Sequence, residues 1–208
     1  MSKFIVFNSK KCLQMFFIVI LCLIIFLIFY YKSGKNGNNI SNKSQEEIID
    51  YILNDVKEYE ADVEVLVISN KTENTYKMKQ KVNLDESTFE VYFPEELKGL
   101  KVSNFDNKLK ISNSKIKLDK MYENYQIILN NMMFLNVFIK DYKDNDSINY
   151  EENGKIVLQT NLKNNINTYI KSKELYIDKK TNKIEKLVIK DNTKKVRVCI
   201  KYNYIDIK

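Results

Sequence analysis

The sequence predicts an α+β domain that is mainly β. It has a curved antiparallel half-barrel sheet of ten or eleven strands, an N-terminal helix and a plug helix, and one transmembrane helix precedes it. Three observations predict this. Residues 13–31 form an almost unbroken apolar run. Apolar and polar residues alternate between turn signals from Ala61 to Phe105 and again from Ser147 to Ile207. Only residues 45–57 and 121–142 show helical spacing instead. Strands that follow strands without intervening helices pair as antiparallel meanders.

The apolar run, Leu13 to Tyr31, has Gln14 as its only strongly polar side chain. As a helix it reaches about 28 Å, close to the roughly 30 Å hydrocarbon core of a bilayer. Leu13, Phe16, Phe17, Ile24 and Phe29 supply its apolar bulk, and Tyr30 and Tyr31 stand where an interfacial aromatic belt is expected. Lys3, Lys10 and Lys11 precede the run and no acidic residue does. The positive-inside rule therefore makes 1–12 a cytoplasmic N-terminus, 13–31 a single-pass anchor, 32–43 a linker, and 44–208 an extracytoplasmic domain. A cleaved signal would need a shorter apolar core and small residues at the cut, which Lys32-Ser33-Gly34 does not supply. The rival is lipidation at Cys22. A lipobox wants a small residue just before the cysteine, however, and this chain has Val19-Ile20-Leu21-Cys22 with more apolar sequence after it. A retained anchor is the favoured reading.

Composition closes off several chemistries. The chain has 208 residues and a net charge of +7, of which Lys3, Lys10, Lys11 and Lys32 supply four around the anchor. Arg197 is the only arginine, so bidentate recognition of bases or phosphates has little to work with, and no nucleic-acid partner is expected. With no histidine, Ser-His-Asp and Cys-His catalysis and imidazole zinc sites are excluded. Cys199 is the only cysteine beyond the anchor, so that domain holds no internal disulfide. The four glycines assemble neither a phosphate loop nor a dinucleotide fingerprint. No cofactor is implied, and no residue is assigned to catalysis or to a metal.

Within 44–208, Ser44-Gln45-Glu46-Glu47 is a capping box, followed by Ile48, Ile49, Ile52, Leu53 and Val56 at helical spacing. This predicts a helix from Gln45 to Lys57, with Tyr59 extending its stripe. Strands are expected at 61–68, 75–84, 88–93, 100–105 and 109–112, with a further short one at 116–118. Pro94-Glu95-Glu96 and Gly99 mark turns. The plug helix is expected from Met121 to Tyr142. Tyr125, Leu129, Met132, Met133 and Phe138 would line a cavity beneath it, and Asn130, Asn131 and Asn136 are weak points. The meander then resumes at 147–151, 155–162, 168–178, 184–191 and 195–207.

Two resemblances follow. Leu175-Tyr176-Ile177-Asp178, the polar loop Lys179-Lys180-Thr181-Asn182-Lys183 and Ile184-Glu185-Lys186-Leu187-Val188-Ile189-Lys190-Asp191 resemble the hairpin repeated in the LolA/LolB lipoprotein-carrier superfamily. The family often has a proline near Lys183 to Glu185, which this chain lacks. Tyr59-Glu60-Ala61-Asp62-Val63-Glu64-Val65, Ser69 to Gln80, and Pro94-Glu95-Glu96-Leu97-Lys98-Gly99-Leu100 resemble the clostridial GerS germination lipoprotein family. That resemblance implies a LolA-like domain of the spore envelope. It also implies a non-catalytic role, supporting a cell-wall amidase of the CwlD type in the cortex modification that germination enzymes recognise.

Three constellations invite a catalytic reading. Glu95-Glu96 and Glu151-Glu152 are adjacent carboxylates, but neighbours on a strand point to opposite faces. Ser114-Lys115-Ile116-Lys117 matches Ser-x-x-Lys, yet no Lys-Thr-Gly accompanies it. Cys199 alternates with Val198 and Ile200 as a small strand side chain, or serves as a thiol crossing a dimer. Two function classes remain: a module that docks an envelope enzyme, and a LolA-like lipid or lipoprotein handler. The first expects a filled cavity and a polar, edge-rich outside, the second a wide apolar cavity. Open β edges also favour strand-swapped homodimerisation.

Overall fold

The computed structural model describes residues 44–106, 108–123, 133–162 and 170–208. The anchor at 13–31, Cys22 and the linker lie outside the described residues. So do Tyr125, Leu129 and Met132. Among the described residues no helix is long and apolar enough to cross a membrane.

The described residues form one long curved antiparallel sheet of 11 strands with two helices. In chain order these are α1 (Gln45–Asn54), β1 (Tyr59–Ile68), β2 (Glu73–Val82), β3 (Glu86–Phe93), β4 (Lys101–Phe105), β5 (Lys108–Asn113) and β6 (Leu118–Glu123). They continue with α2 (Leu135–Asp144), β7 (Asp146–Glu152), β8 (Lys155–Asn161), β9 (Ile170–Asp178), β10 (Ile184–Asp191) and β11 (Val196–Ile207). Across the sheet the order is β6-β5-β4-β3-β2-β1-β11-β10-β9-β8-β7. Two meanders are thus joined at one seam, where Tyr59 faces Ile207 and a bulge falls between Asp62 and Val63.

Period-two patterning builds the covered face. Tyr59, Ala61, Val63 and Val65 of β1 are buried, as are Val198, Ile200 and Tyr202 of β11 and Leu175 and Ile177 of β9. The turns are equally readable. Asn153-Gly154 links β7 to β8 with φ of 50° and 74°, the left-handed pair that a tight hairpin needs. The β9–β10 turn is organised by Asp178, whose Oδ1 accepts the backbone N–H groups of Lys180 (3.0 Å) and Thr181 (2.8 Å). Asp191 repeats the device after β10, accepting from the N–H groups of Thr193 (2.8 Å) and Lys195 (3.0 Å) and from Arg197 Nε (2.7 Å).

These bonds hold both carboxyls well below the usual carboxylate range. Lys155 is the largest cause at Asp178 and the Thr193 hydroxyl at Asp191. A depressed folded pKa supplies stability that is complete above the unfolded value of about 4 and is lost as pH falls below it. Acid titration followed by circular dichroism should therefore show unfolding free energy declining below about pH 4. Asp178→Asn and Asp191→Asn should each flatten that decline.

The capping box forms as expected: Glu47 N–H donates to Ser44 Oγ (3.3 Å) and Ser44 N–H to Glu47 Oε2 (2.7 Å). Three expectations change. First, α1 stops at Asn54, and Tyr59 opens β1 instead of extending the helical stripe. Second, the short strand expected at 116–118 starts only at Leu118, as the beginning of β6, because Ile116 and Lys117 lie in a turn where Lys117 has φ 51°. Third, the plug helix does not begin at Met121. Met121 and Tyr122 belong to β6, paired with Lys110 and Leu109 of β5, and the described helix runs only from Leu135 to Asp144.

Candidate functional site

A lipid handler was expected to have a wide apolar cavity on the covered face and a docking module a filled one; in the described part, α2 buries its apolar stripe there. Leu135, Phe138 and Ile139 form the helix's buried stripe, with Phe138 0% exposed. Phe134, just ahead of the helix, packs against Phe89 of β3 with ring centroids 6.3 Å apart. Of the five residues expected to line a cavity, Met133 is half-buried just before α2 and Phe138 is wholly buried on the sheet-facing stripe of α2 itself.

Polar bonds fasten both ends of α2. At its start, Tyr59 Oη donates to Gln80 Oε1 (3.2 Å) and accepts the Leu135 N–H (3.0 Å). Gln80 Nε2 donates to the Met133 carbonyl (2.9 Å). Helix starts leave N–H groups without partners, and Phe134 offers no side-chain cap, so the sheet supplies one. Burial raises the Tyr59 pKa well above its ordinary value, keeping the hydroxyl protonated. Tyr59→Phe should cost about 1–3 kcal/mol in urea unfolding, since it leaves the buried Leu135 N–H unpaired.

At the other end Lys173 of β9, only 1% exposed, reaches Asp141 of α2. Thr160 Oγ1 donates to the Asp141 carbonyl (3.2 Å), Ser147 Oγ to the Tyr142 carbonyl (2.6 Å), and Lys143 Nζ to Asn54 Oδ1 of α1 (2.9 Å). Burial lowers the Lys173 pKa, and the Asp141 carboxylate opposes that shift. The sequence reading missed Tyr59, Gln80, Asp141 and Lys173. Gln80 and Lys173 were legible as polar residues at apolar positions of their strands.

The catalytic constellations are not assembled. Glu95 sits in a single 3-10 turn, Glu95–Leu97, and pairs with Lys98 (3.2 Å) and Lys115 (3.3 Å), which hold its pKa below the ordinary value. Glu151 pairs with Lys179 (2.5 Å) on the sheet surface. Ser114 and Lys117 are exposed turn residues. Cys199 is half-buried opposite Leu66 and Val188, and burial pushes its thiol pKa up. Among the described residues no group of carboxylates and cysteines is placed to hold a metal.

The opposite face carries a lattice of polar pairs, exposed on β1 and β2 and largely buried around Glu174 of β9. Glu64 meets Lys77 (3.8 Å) and Glu60 meets Lys81 (3.5 Å) across β1 and β2. On β9, Glu174 accepts from Tyr176 Oη (2.7 Å) and Lys190 Nζ (2.6 Å), and Lys186 lies 4.4 Å from the Tyr176 ring centre. Among the described residues the sheet ends at β7, where an open groove of 740 Å³ runs between that strand and α1. Ile49 and Leu53 form its apolar part, Glu46 and Asp50 its charged rim, and Asn149 its β7 wall.

No protein-family model and no curated protein matches this sequence. Solved structures do resemble it. A LolA superfamily protein from Nitrosomonas europaea has 11% identity and a TM-score of 0.42, with 78% of this chain and 91% of that one covered. An uncharacterised conserved protein from Thermus thermophilus has 12% identity and a TM-score of 0.49, covering 80% of this chain and 88% of that one. A chain from the complex of the Clostridioides difficile CwlD amidase with the GerS lipoprotein is 25% identical, with a TM-score of 0.50, and the match covers 80% of this chain and 98% of that one.

Proposed function

We propose that this chain is a GerS-like, non-catalytic accessory protein that holds a cell-wall amidase of the CwlD type during spore cortex modification. The observation that carries this is the match to 98% of a chain from the GerS–CwlD complex at 25% identity. The matched chain is read as the GerS subunit, because residues 59–65, 69–80 and 94–100 carry the GerS-like motifs. The fixed seating of α2 on the covered face favours a docking module over a lipid handler. Phe138 and Leu135 are wholly buried, and polar bonds fix the helix at both ends. In this reading residues 13–31 anchor the chain in the membrane, and the sheet domain works on its outer side within the forespore or spore envelope.

The test is co-expression of the full tagged chain with a CwlD-type amidase, followed by purification in detergent and size-exclusion chromatography. The two should elute together. An amidase that elutes alone beside a folded partner overturns the reading, and stoichiometric co-purified phospholipid would point to lipid handling instead.

A further inference from the structure

We infer that the outer edge of β7, unpaired among the described residues, takes, with the groove beside α1, an extended basic segment of a partner protein as a further strand of the sheet. Among the described residues β7 is the last strand in the sheet order, so the side of its backbone facing away from β8 has no strand partner there and presents peptide groups to an incoming chain. Its side chains alternate between two surroundings. Asn149 faces Leu158 on the covered side and walls the groove, whereas Ile148 and Tyr150 face Gln159 and Val157 on the outer side. A strand laid along β7 would send alternate side chains into the groove and place the others beside Ile148, which is 55% exposed.

Charge decides what that strand carries. The whole chain is at +7, yet α1 and β7 themselves contain no lysine or arginine; Glu151 is met by Lys179 and Glu47 caps α1, while Glu46 and Asp50 stand exposed on the groove rim. A lysine entering the groove would lay its methylenes on Ile49 and Leu53 and bring its ammonium to Glu46 and Asp50. The alternate positions, next to Ile148 and Tyr150, suit valine or isoleucine. The fitting segment therefore alternates basic and β-branched residues. A second copy of this chain is a poorer fit. Two β7 edges would set carboxylate against carboxylate, and β6 offers only Lys120 among Asp119 and Glu123.

The proposal goes beyond the amidase reading, and its test needs no amidase, so the two can fail separately. The full chain in neutral detergent micelles is titrated into a short fluorescent peptide of alternating lysine and valine at low salt, and anisotropy is read. The controls are the same peptide with glutamate for lysine, and two versions N-methylated at one or the other alternate set of residues. The lysine peptide is expected to bind at least about tenfold more tightly than the glutamate peptide. N-methylation of the edge-facing set should abolish binding, and that of the other set should leave it. Glu46→Lys with Asp50→Lys, both exposed and so compatible with an unchanged circular dichroism spectrum, should weaken binding by about tenfold or more. Equal binding of the two peptides, indifference to both N-methylations, or full affinity in the double variant overturns the proposal.

Discussion

Asp141→Asn is expected to lower the unfolding free energy by about 3–5 kcal/mol, the usual cost of leaving one member of a buried pair without its partner. Lys173 is only 1% exposed, and its ammonium meets the Asp141 carboxylate where β9 supports α2. Burial already disfavours the cation there, and without the carboxylate nothing compensates. The effect depends on pH in a definite sense. Lys173 binds its proton less tightly when folded than when unfolded, so the unfolded chain holds more protons between the depressed value and the ordinary lysine value of 10.5. Stability must rise with pH through that window. In Asp141→Asn the window opens at lower pH, so part of the loss should be recovered as pH approaches about 10. Replacing both residues, as Asp141→Leu with Lys173→Met, should bring stability back near the starting value. Urea unfolding across a pH series reads all three results, and a single variant within about 1 kcal/mol of the parent would mean that Lys173 is not sequestered.

Phe138→Ala should cost a similar amount, about 3–5 kcal/mol, because a wholly buried ring is removed from a close-packed site. Phe138 lies at the centre of the buried stripe of α2 and 5.9 Å from the Tyr142 ring centre. Phe138→Leu retains most of the volume and should cost less than about 2 kcal/mol. The pair also bears on function. A neutral Phe138→Ala would mean that α2 rests lightly on the sheet, leaving the room that a lipid carrier needs.

The sheet was legible in the sequence because its rules are local. Alternation in Ala61-Asp62-Val63-Glu64-Val65, the capping box at Ser44 and the aspartates ending β9 and β10 each declare a structure within a few residues. The covered face was less legible because it depends on partners far apart in the chain. Tyr59 continues a helical spacing in the sequence, but its hydroxyl is needed 76 positions away at Leu135. Met121 and Tyr122 precede an apolar stretch of helical character, yet they complete the ladder with β5. Lys173 sits at a position where apolar residues belong, and only its pairing with Asp141, 32 positions away, explains it.

The seam between β1 and β11 sets an order of events. Ribosomes deliver β1 early and β11 last, yet the two lie side by side, Tyr59 against Ile207 and Val65 against Ile200. Until the final strand arrives, one flank of β1 has no neighbour, and its valines stand at an open margin. Contacts between such distant residues slow folding, so each newly synthesised molecule passes through a vulnerable interval in which a half-built wall can be seized by protease or by another nascent copy.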